Sequence, residues 1–304
     1  MVPVISAGNS GPGSGTVGTP GTARHAITVA ASDKTDKIAD FSSRGPVVFY
    51  ENEIEKVLLK PDVTAPGVDI CAAEYDSAWS DSRCLDSRHV AISGTSMAAP
   101  HVSGSAALIK QAHPGWTPGE IKSALKVRSF DLGYRSTVEG AGRVDVLASV
   151  RSGRLPEVSI EPPLYVNGTV EIRGTASSPT LTGWSVYYSK DDISWQQACS
   201  SASSVDDGIL CAWHTGASLS GLFTLKLIAT NPAGSAEDRS IVLVNVTDFD
   251  PNRWNNTGTS VTLDRDYYNT IRMLIANTTL DCNGHTINAM LFAPYSCPYI
   301  YYGS

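Results

Sequence analysis

The sequence predicts an α/β region, followed by an all-β module and a short β-rich segment. Residues 1–150 are rich in Ala, Gly and Val and carry both helix-like and strand-like patterns. Residues 156–248 lack helical periodicity and contain short β-rich runs between turn signals, which favours a β-sandwich. Residues 249–304 are too few for most independent cores. The linker at 151–156 is polar and interrupted by Gly and Pro, as domain boundaries usually are.

Composition narrows the classes of function. The chain has 304 residues, of which 42% are hydrophobic and 17% charged, and its formal net charge is −7. This apolar content is enough for packed cores and disfavours global disorder. A net negative charge argues against nucleic-acid binding, which needs a basic surface to neutralise phosphates. No apolar run approaches the roughly 20 residues of a membrane-spanning helix, so no membrane span is expected.

Cysteines and glycosylation sequons indicate export. The six cysteines form three local pairs, which are Cys71 and Cys84, Cys199 and Cys211, and Cys282 and Cys297. Four Asn-x-Ser/Thr sequons begin at Asn167, Asn245, Asn255 and Asn277. Local, even pairing predicts disulfides in an oxidising compartment; free thiols and chance sequons are the alternative interpretation. The first residues have no signal-peptide pattern, so export implies a missing N-terminal segment.

Two helices are predicted in the first region. The first covers about 96–112 and ends before His113-Pro114, because the residue before a proline disfavours helical backbone. The second starts near Thr117-Pro118-Gly119-Glu120, a capping-box pattern with proline at the first helical position.

Residues 94–104 place Ser96 at the N-terminus of the first predicted helix, among small residues. Unpaired backbone N–H groups and the positive end of the helix dipole favour developing negative charge there. A nucleophile for acyl transfer needs that placement, because its tetrahedral intermediate carries an oxyanion. An ordinary Ser N-cap is the alternative on this pattern alone.

Further motifs along the first region are typical of one protein family. Motifs lie in order at 6–12, 26–31, 39–46, 60–68, 94–104, 117–125 and 140–145. They include Ser6-Ala7-Gly8-Asn9-Ser10-Gly11-Pro12 and Gly94-Thr95-Ser96-Met97-Ala98-Ala99-Pro100. With these motifs, residues 1–150 resemble the subtilisin-like serine proteases, the subtilase family. The resemblance implies a mostly parallel sheet covered by helices, of which this chain holds an incomplete part.

The resemblance also assigns roles to individual residues. Ser96 Oγ is the expected nucleophile, and the Ser96 N–H and the Asn9 side-chain amide are the expected oxyanion hole. Ser6, Ala7 and Gly8 are expected to line one wall of the pocket for the substrate side chain before the scissile bond. No cofactor is required for this chemistry.

Structural calcium is common in the family, but no metal site is assigned here. The candidate carboxylates are Asp76, Asp81 and Asp86, and a solvated acidic loop is the alternative.

The sequence departs from the family pattern at the general base. The family takes Asp and His from two motifs before the oxyanion asparagine, which here is residue 9, and Asp-Ser/Thr-Gly does not occur in the chain. The six histidines are His25, His89, His101, His113, His214 and His285. Each is expected to be structural or exposed. The sequence therefore predicts the C-terminal half of a subtilase domain, inactive alone and poorly soluble when residues 1–150 are expressed without the rest.

The later segments carry their own expectations. Strands are predicted at 170–173, 184–188, 223–228 and 241–244, with turns at Asn167-Gly168, Asp207-Gly208 and Asn231-Pro232. This module resembles the immunoglobulin-like β-sandwiches appended to secreted subtilases. Trp195 and Trp213 are expected to be core anchors, and sugar-binding platforms are the alternative. Residues 279–287 resemble the first rung of a parallel β-helix; a frayed tail is the alternative.

Three functions follow from these patterns. The first is a secreted or cell-surface serine endopeptidase acting on proteins or peptides, present as a fragment. The second is a non-catalytic secreted or surface binding or structural protein with a vestigial protease part. In the third, a separate polypeptide supplies the missing Asp and His.

Overall fold

The structure is a computed structural model that describes residues 1–75, 82–216 and 218–245, and the backbone of four short strands beyond them. The chain divides into two compact units. The first unit comprises Met1–Leu164, Glu171–Trp213 and Thr224–Ile241, and the second comprises Tyr165–Val170, His214–Phe223 and Val242–Ser304.

Three parallel strands form the centre of the α/β part of the first unit. They are β1 (Val4–Ser6), β2 (Ile27–Ser32) and β5 (Val63–Pro66), in the order β1-β2-β5. All six residues of β2 are buried, as is typical of a parallel strand covered on both faces. Two helices, α1 (Thr95–Ala112) and α2 (Pro118–Val127), pack their apolar residues into the same core. The predicted combination of a parallel sheet with helices is therefore present.

Two hairpins and two short helices complete this part of the unit. The hairpins pair β3 (Val47–Glu51) with β4 (Ile54–Leu58) and β6 (Ile70–Ala73) with β7 (His89–Ile92). The short helices are α3 (Ser136–Glu139) and α4 (Val146–Val150). Strand β7 leads directly to the start of α1.

The predicted helix ends are confirmed. Helix α1 begins one residue before Ser96 and ends at Ala112. At the start of α2, Thr117 Oγ1 accepts a hydrogen bond from the Glu120 N–H at 3.1 Å, and Glu120 Oε2 accepts one from the Thr117 N–H at 2.8 Å. Local sequence signals therefore set both termini.

We expect Thr117→Ala to lower the free energy of unfolding by about 1 kcal/mol, because it removes the N-cap acceptor. Thr117→Ser keeps the acceptor and is expected to restore most of the loss. Urea unfolding of the two variants measures the effect, and equal midpoints for Thr117→Ala and the unmodified chain would contradict it.

The all-β part contains two larger sheets. One has the order β13-β10-β8, from β8 (Glu157–Glu161), β10 (Thr169–Ser177) and β13 (Val205–His214). The other begins β12-β11-β14-β15, from β11 (Gly183–Ser189), β12 (Gln196–Ser201), β14 (Gly221–Asn231) and β15 (Gly234–Val244). β9 (Tyr165–Val166) pairs in parallel with Leu243 and Val244. The four predicted strands all lie within these elements, while an immunoglobulin-like arrangement stays a prediction.

Two predictions in this part need correction. Asp207-Gly208 does not form a turn: it lies inside β13, where Asp207 adopts a φ of 44° that aspartate tolerates. Trp213 is a core anchor at 3% exposure, but Trp195 is partly exposed. The Trp195 ring lies 3.7 Å from Lys226 Nζ, a cation–π contact that explains its position at the surface.

The disulfides Cys71–Cys84 and Cys199–Cys211 are formed as predicted. The third cysteine pair, two candidate calcium carboxylates, one histidine and two sequons lie outside the described residues: Cys282, Cys297, Asp76, Asp81, His285, Asn255 and Asn277. The short strands are β16 (Ser260–Thr262) parallel to β17 (Thr279–Asp281), and β18 (Thr286–Ile287) antiparallel to β19 (Tyr295–Ser296). The β-helix stays a prediction.

Candidate active site

The end of β1 and the start of α1 bring Asn9 against the residue before Ser96. Asn9 Oδ1 accepts hydrogen bonds from both the backbone N–H and the hydroxyl of Thr95, each at 2.9 Å. The Gly8 N–H donates to the same Thr95 hydroxyl at 3.1 Å. Thr95 is 1% exposed, whereas Asn9 and Ser96 are both exposed. A buried threonine thus joins two chain segments that are far apart in sequence.

These bonds fix the orientation of the Asn9 amide. Two donors point at Oδ1, so the oxygen must face Thr95 and the NH₂ group must face away from it. Asn9 Nδ2 lies 3.3 Å from the position that a Cβ on Gly94 would occupy, and the Ser96 backbone nitrogen lies 3.7 Å from that position. Both nitrogens, together with Met97 Sδ at 3.7 Å, therefore lie within 4 Å of one point beside Gly94, which the missing side chain of this glycine leaves unfilled.

Ser96 lies in the first turn of an 18-residue helix. The N-cap, Gly94, provides no side-chain hydrogen bond; at this positive end of the helix, Asn9 Oδ1 accepts the N–H of Thr95. Pro100, inside the helix, has no N–H to offer the Ser96 carbonyl. The nucleophile candidate is therefore an exposed hydroxyl at an electropositive helix end.

The three residues predicted to line a pocket wall differ in their exposure. The Ala7 side chain is fully buried and packs with Val17 and Val47, so its methyl group does not line an open pocket. Ser6 and Gly8 are partly exposed. Gly8 has a φ of +106°, and a Cβ there would lie 2.9 Å from Ser43 Oγ. This position requires glycine.

No histidine hydrogen-bonds to Ser96 in the part of the chain that the structure describes. Four histidines each place a ring nitrogen within hydrogen-bond distance of another oxygen. These contacts are His89 Nδ1 to Asp86 Oδ1 at 2.7 Å, His101 Nδ1 to Met97 O at 2.9 Å, His113 Nε2 to Val150 O at 2.7 Å and His214 Nδ1 to Thr169 Oγ1 at 2.7 Å. His25 is exposed. The structural or exposed roles expected for these five histidines agree with these contacts.

The described residues give no support for a calcium site at the candidate carboxylates. Within the described ranges, no group of three or more His, Cys, Asp or Glu side chains is placed to hold a metal ion. Asp86 is engaged with His89, and this hydrogen bond lowers the pKa of the Asp86 carboxyl. A calcium site remains unassigned.

Sequence reasoning did not assign a role to Thr95. Thr95 lies in the Gly94-Thr95-Ser96 motif, but this motif does not predict which residue the Thr95 hydroxyl contacts. Only the fold shows that Thr95 and Asn9 meet across 86 positions of the chain.

Known proteins are similar in sequence to the part of the chain that holds this site. Residues 1–143 match the model of the Subtilase family, Peptidase_S8. "Subtilisin-like protease SBT1.4" of Arabidopsis thaliana is 37% identical over 150 residues, which are 44% of this chain and 19% of that protein. "Serine protease AprX" of Bacillus subtilis (strain 168) is 41% identical over 137 residues, which are 41% of this chain and 29% of that protein.

The chain thus spans less than a third of the length of these relatives. A solved structure of a protease from Pseudoalteromonas arctica is 33% identical with a TM-score of 0.37, and the match covers 49% of this chain and 42% of that chain. The family match and the relatives lead to one conclusion: residues 1–143 of this chain belong to the subtilase family of subtilisin-like serine proteases.

Proposed function

We propose that residues 1–143 contribute the nucleophile and the oxyanion hole of a serine endopeptidase. Ser96 Oγ attacks the scissile carbonyl of a protein or peptide, and an acyl-enzyme forms at Ser96 before water releases it. The Ser96 N–H and Asn9 Nδ2 hold the oxyanion of each tetrahedral intermediate. The observation that carries this proposal is that Asn9 Nδ2 and the Ser96 nitrogen lie within 4 Å of one point beside Gly94, next to the exposed Ser96.

The attack also requires that the hydroxyl proton of Ser96 be taken up by a base. A serine at its ordinary pKa is a weak nucleophile, and an imidazole oriented by a carboxylate is the usual remedy. The described histidines have other partners or lie at the surface. We infer that the described residues supply neither the base nor its carboxylate. We propose that this chain, without a partner that carries them, has negligible peptidase activity.

Reconstitution tests this proposal. The 304-residue chain is mixed or co-expressed with a separate subtilase segment that carries the family's Asp and His motifs. We expect a fluorophosphonate probe to label Ser96, and casein to be cleaved, only in the complex. Ser96→Ala in the complex should abolish both signals, while Ser103→Ala, an exposed serine on the same helix, should leave them unchanged.

Two results would contradict the proposal. Labelling of Ser96 in the chain alone, at the rate of an intact subtilase, would show that the base is already present. A co-eluting complex that shows neither labelling nor cleavage would overturn the assignment of Ser96 as the nucleophile.

Thr95 is the positioning residue of this site, so its hydroxyl should affect turnover. Thr95→Val keeps the side-chain shape but removes one of the two hydrogen bonds to Asn9 Oδ1 and the acceptor of the Gly8 N–H. We expect kcat of the reconstituted enzyme to fall about tenfold, which corresponds to about 1.4 kcal/mol, with KM little changed. Thr95→Ser should keep near-normal turnover; an equal loss in both variants would argue against the role of the hydroxyl.

The rest of the chain supports an exported protein. The Cys71–Cys84 and Cys199–Cys211 disulfides are typical of an oxidising compartment. No helix among the described residues has the length and apolar character to cross a membrane. We propose that residues 1–150 are the protease part, 156–248 a β-sandwich accessory domain and 249–304 the start of a further β-rich module, in a secreted or surface-attached enzyme.

A further inference from the structure

Two of the four sequons begin at asparagines that the structure describes, and these two side chains differ in exposure and in their contacts. Both Asn167 and Asn245 belong to the second unit. Asn167 is exposed, whereas Asn245 is only partly so. Because a glycan is attached to the side-chain nitrogen, the decisive difference is what each Nδ2 already does in the folded chain.

Asn167 stands at an exposed turn between β9 and β10. Asn167, Gly168 and Thr169 are all exposed, and Gly168 reverses the chain with a φ of +71°. The turn is held by its backbone, since the Gly168 carbonyl accepts hydrogen bonds from the Thr215 N–H at 2.8 Å and the Thr215 hydroxyl at 2.7 Å. None of these bonds uses the side chain of Asn167. A bulky group on that side chain therefore leaves the turn intact.

Asn245 uses both N–H bonds of its side chain to hold a neighbouring loop. Its Nδ2 donates to the Gly216 carbonyl at 3.1 Å and to the Leu219 carbonyl at 2.8 Å. The Asn245 backbone N–H donates to the Val166 carbonyl at 2.8 Å, and its φ is 49°. A secondary amide has one N–H fewer, so a glycan at Asn245 removes at least one of these bonds.

We propose that the folded protein carries an N-linked glycan on Asn167 and none on Asn245. In this modification a new bond forms between Asn Nδ2 and C1 of a sugar, and the bond from C1 to the diphosphate of a lipid-linked oligosaccharide breaks. The diphosphate leaves with the electron pair, and the amide nitrogen loses one proton. The glycan would shield the β9–β10 turn, a natural site for proteolytic nicking in a protein that encounters proteases.

The test expresses the 304-residue chain behind a cleavable signal sequence in a eukaryotic host, with Asn255→Gln and Asn277→Gln introduced so that only two sequons remain. Total and secreted protein are treated with peptide-N-glycosidase, and occupancy is read by electrophoresis and by mass spectrometry of the converted asparagines. We expect a shift of one glycan in both fractions, located at Asn167, lost in Asn167→Gln and retained in Asn245→Gln.

A second measurement tests the structural premise without any glycan. In unglycosylated chain from a bacterial host, Asn245→Asp removes both donors to the loop, whereas Asn167→Asp removes none. We expect a lower midpoint of thermal unfolding for Asn245→Asp alone. The proposal is overturned by an unoccupied Asn167 in total protein, by a glycan on Asn245 in secreted protein, or by equal midpoints for the two aspartate variants.

Discussion

Replacing Asn9 by alanine in the reconstituted enzyme is expected to lower kcat about 10²–10³-fold while KM changes little. That range is the usual cost of removing one oxyanion-hole donor from a serine protease. The loss falls on kcat because the oxyanion exists only in the transition state and intermediate, not in the bound substrate. The geometry beside Gly94, with Asn9 Nδ2 and the Ser96 nitrogen within 4 Å of one point, is the reason to expect a full effect.

The matched control for Asn9→Ala is Ser10→Ala, because Ser10 is the next residue, is also exposed, and engages Ser43 through its backbone N–H. Steady-state kinetics with a peptide substrate should show near-normal kcat for this control. A rise in KM with unchanged kcat in Asn9→Ala would instead indicate that Asn9 binds the ground state, and would reject its role in the oxyanion hole.

The second large effect is expected at Asp62, in the buried core between β2, β5 and α2. Asp62 is 6% exposed, and its oxygens lie 2.6 Å from Lys60 Nζ and 2.8 Å from Lys122 Nζ. The Thr28 N–H donates to the same carboxylate at 2.8 Å. Both lysines also donate to the Ala26 carbonyl, at 2.9 Å and 3.0 Å. One carboxylate thus neutralises two cations that hold the chain at the start of β2.

We expect Asp62→Asn to lower the free energy of unfolding by about 3 kcal/mol, because it leaves the buried ammonium group of Lys60 without its counter-ion and removes the ion pair with the partly exposed Lys122. Urea unfolding followed by circular dichroism measures the loss. Asp40→Asn serves as the control, since Asp40 is exposed and should shift the midpoint little. A similar, small shift in both variants would show that the Asp62 cluster contributes little net stability.

The same cluster predicts a pH dependence. Burial alone would raise the pKa of Asp62, but the charges of Lys122 and Lys60 outweigh it and hold this pKa well below its ordinary value. A carboxyl with a lowered pKa in the folded state stabilises fully above its unfolded pKa, which is about 3.9 for aspartate. Its contribution is lost as pH falls below that value. The stability difference between the unmodified chain and Asp62→Asn should therefore be constant above about pH 5 and shrink as the pH is lowered from there to about pH 3 and below.

Features that depend on neighbouring residues were predictable from the sequence. The capping box at Thr117 and the end of α1 before His113-Pro114 follow from local backbone chemistry. The disulfides were predictable because each pair closes a short loop, with separations of 13 and 12 residues. The local rule failed at Asp207-Gly208, where pairing within a sheet overrides a turn signal.

The sequence by itself determined that Ser96 opens a helix, that Asn9 lies in a subtilase motif and that residues 1–143 belong to this family. Only the tertiary structure decided how these residues meet. The orientation of the Asn9 amide depends on Thr95, and the charge of Asp62 depends on Lys122 in α2, 60 positions later. Contacts of this kind arise when separate elements pack on one core, and no local pattern records which side chains then face each other. The same physical reason separates Asn167 from Asn245: their sequons are alike in sequence, but only one amide is used to hold the fold.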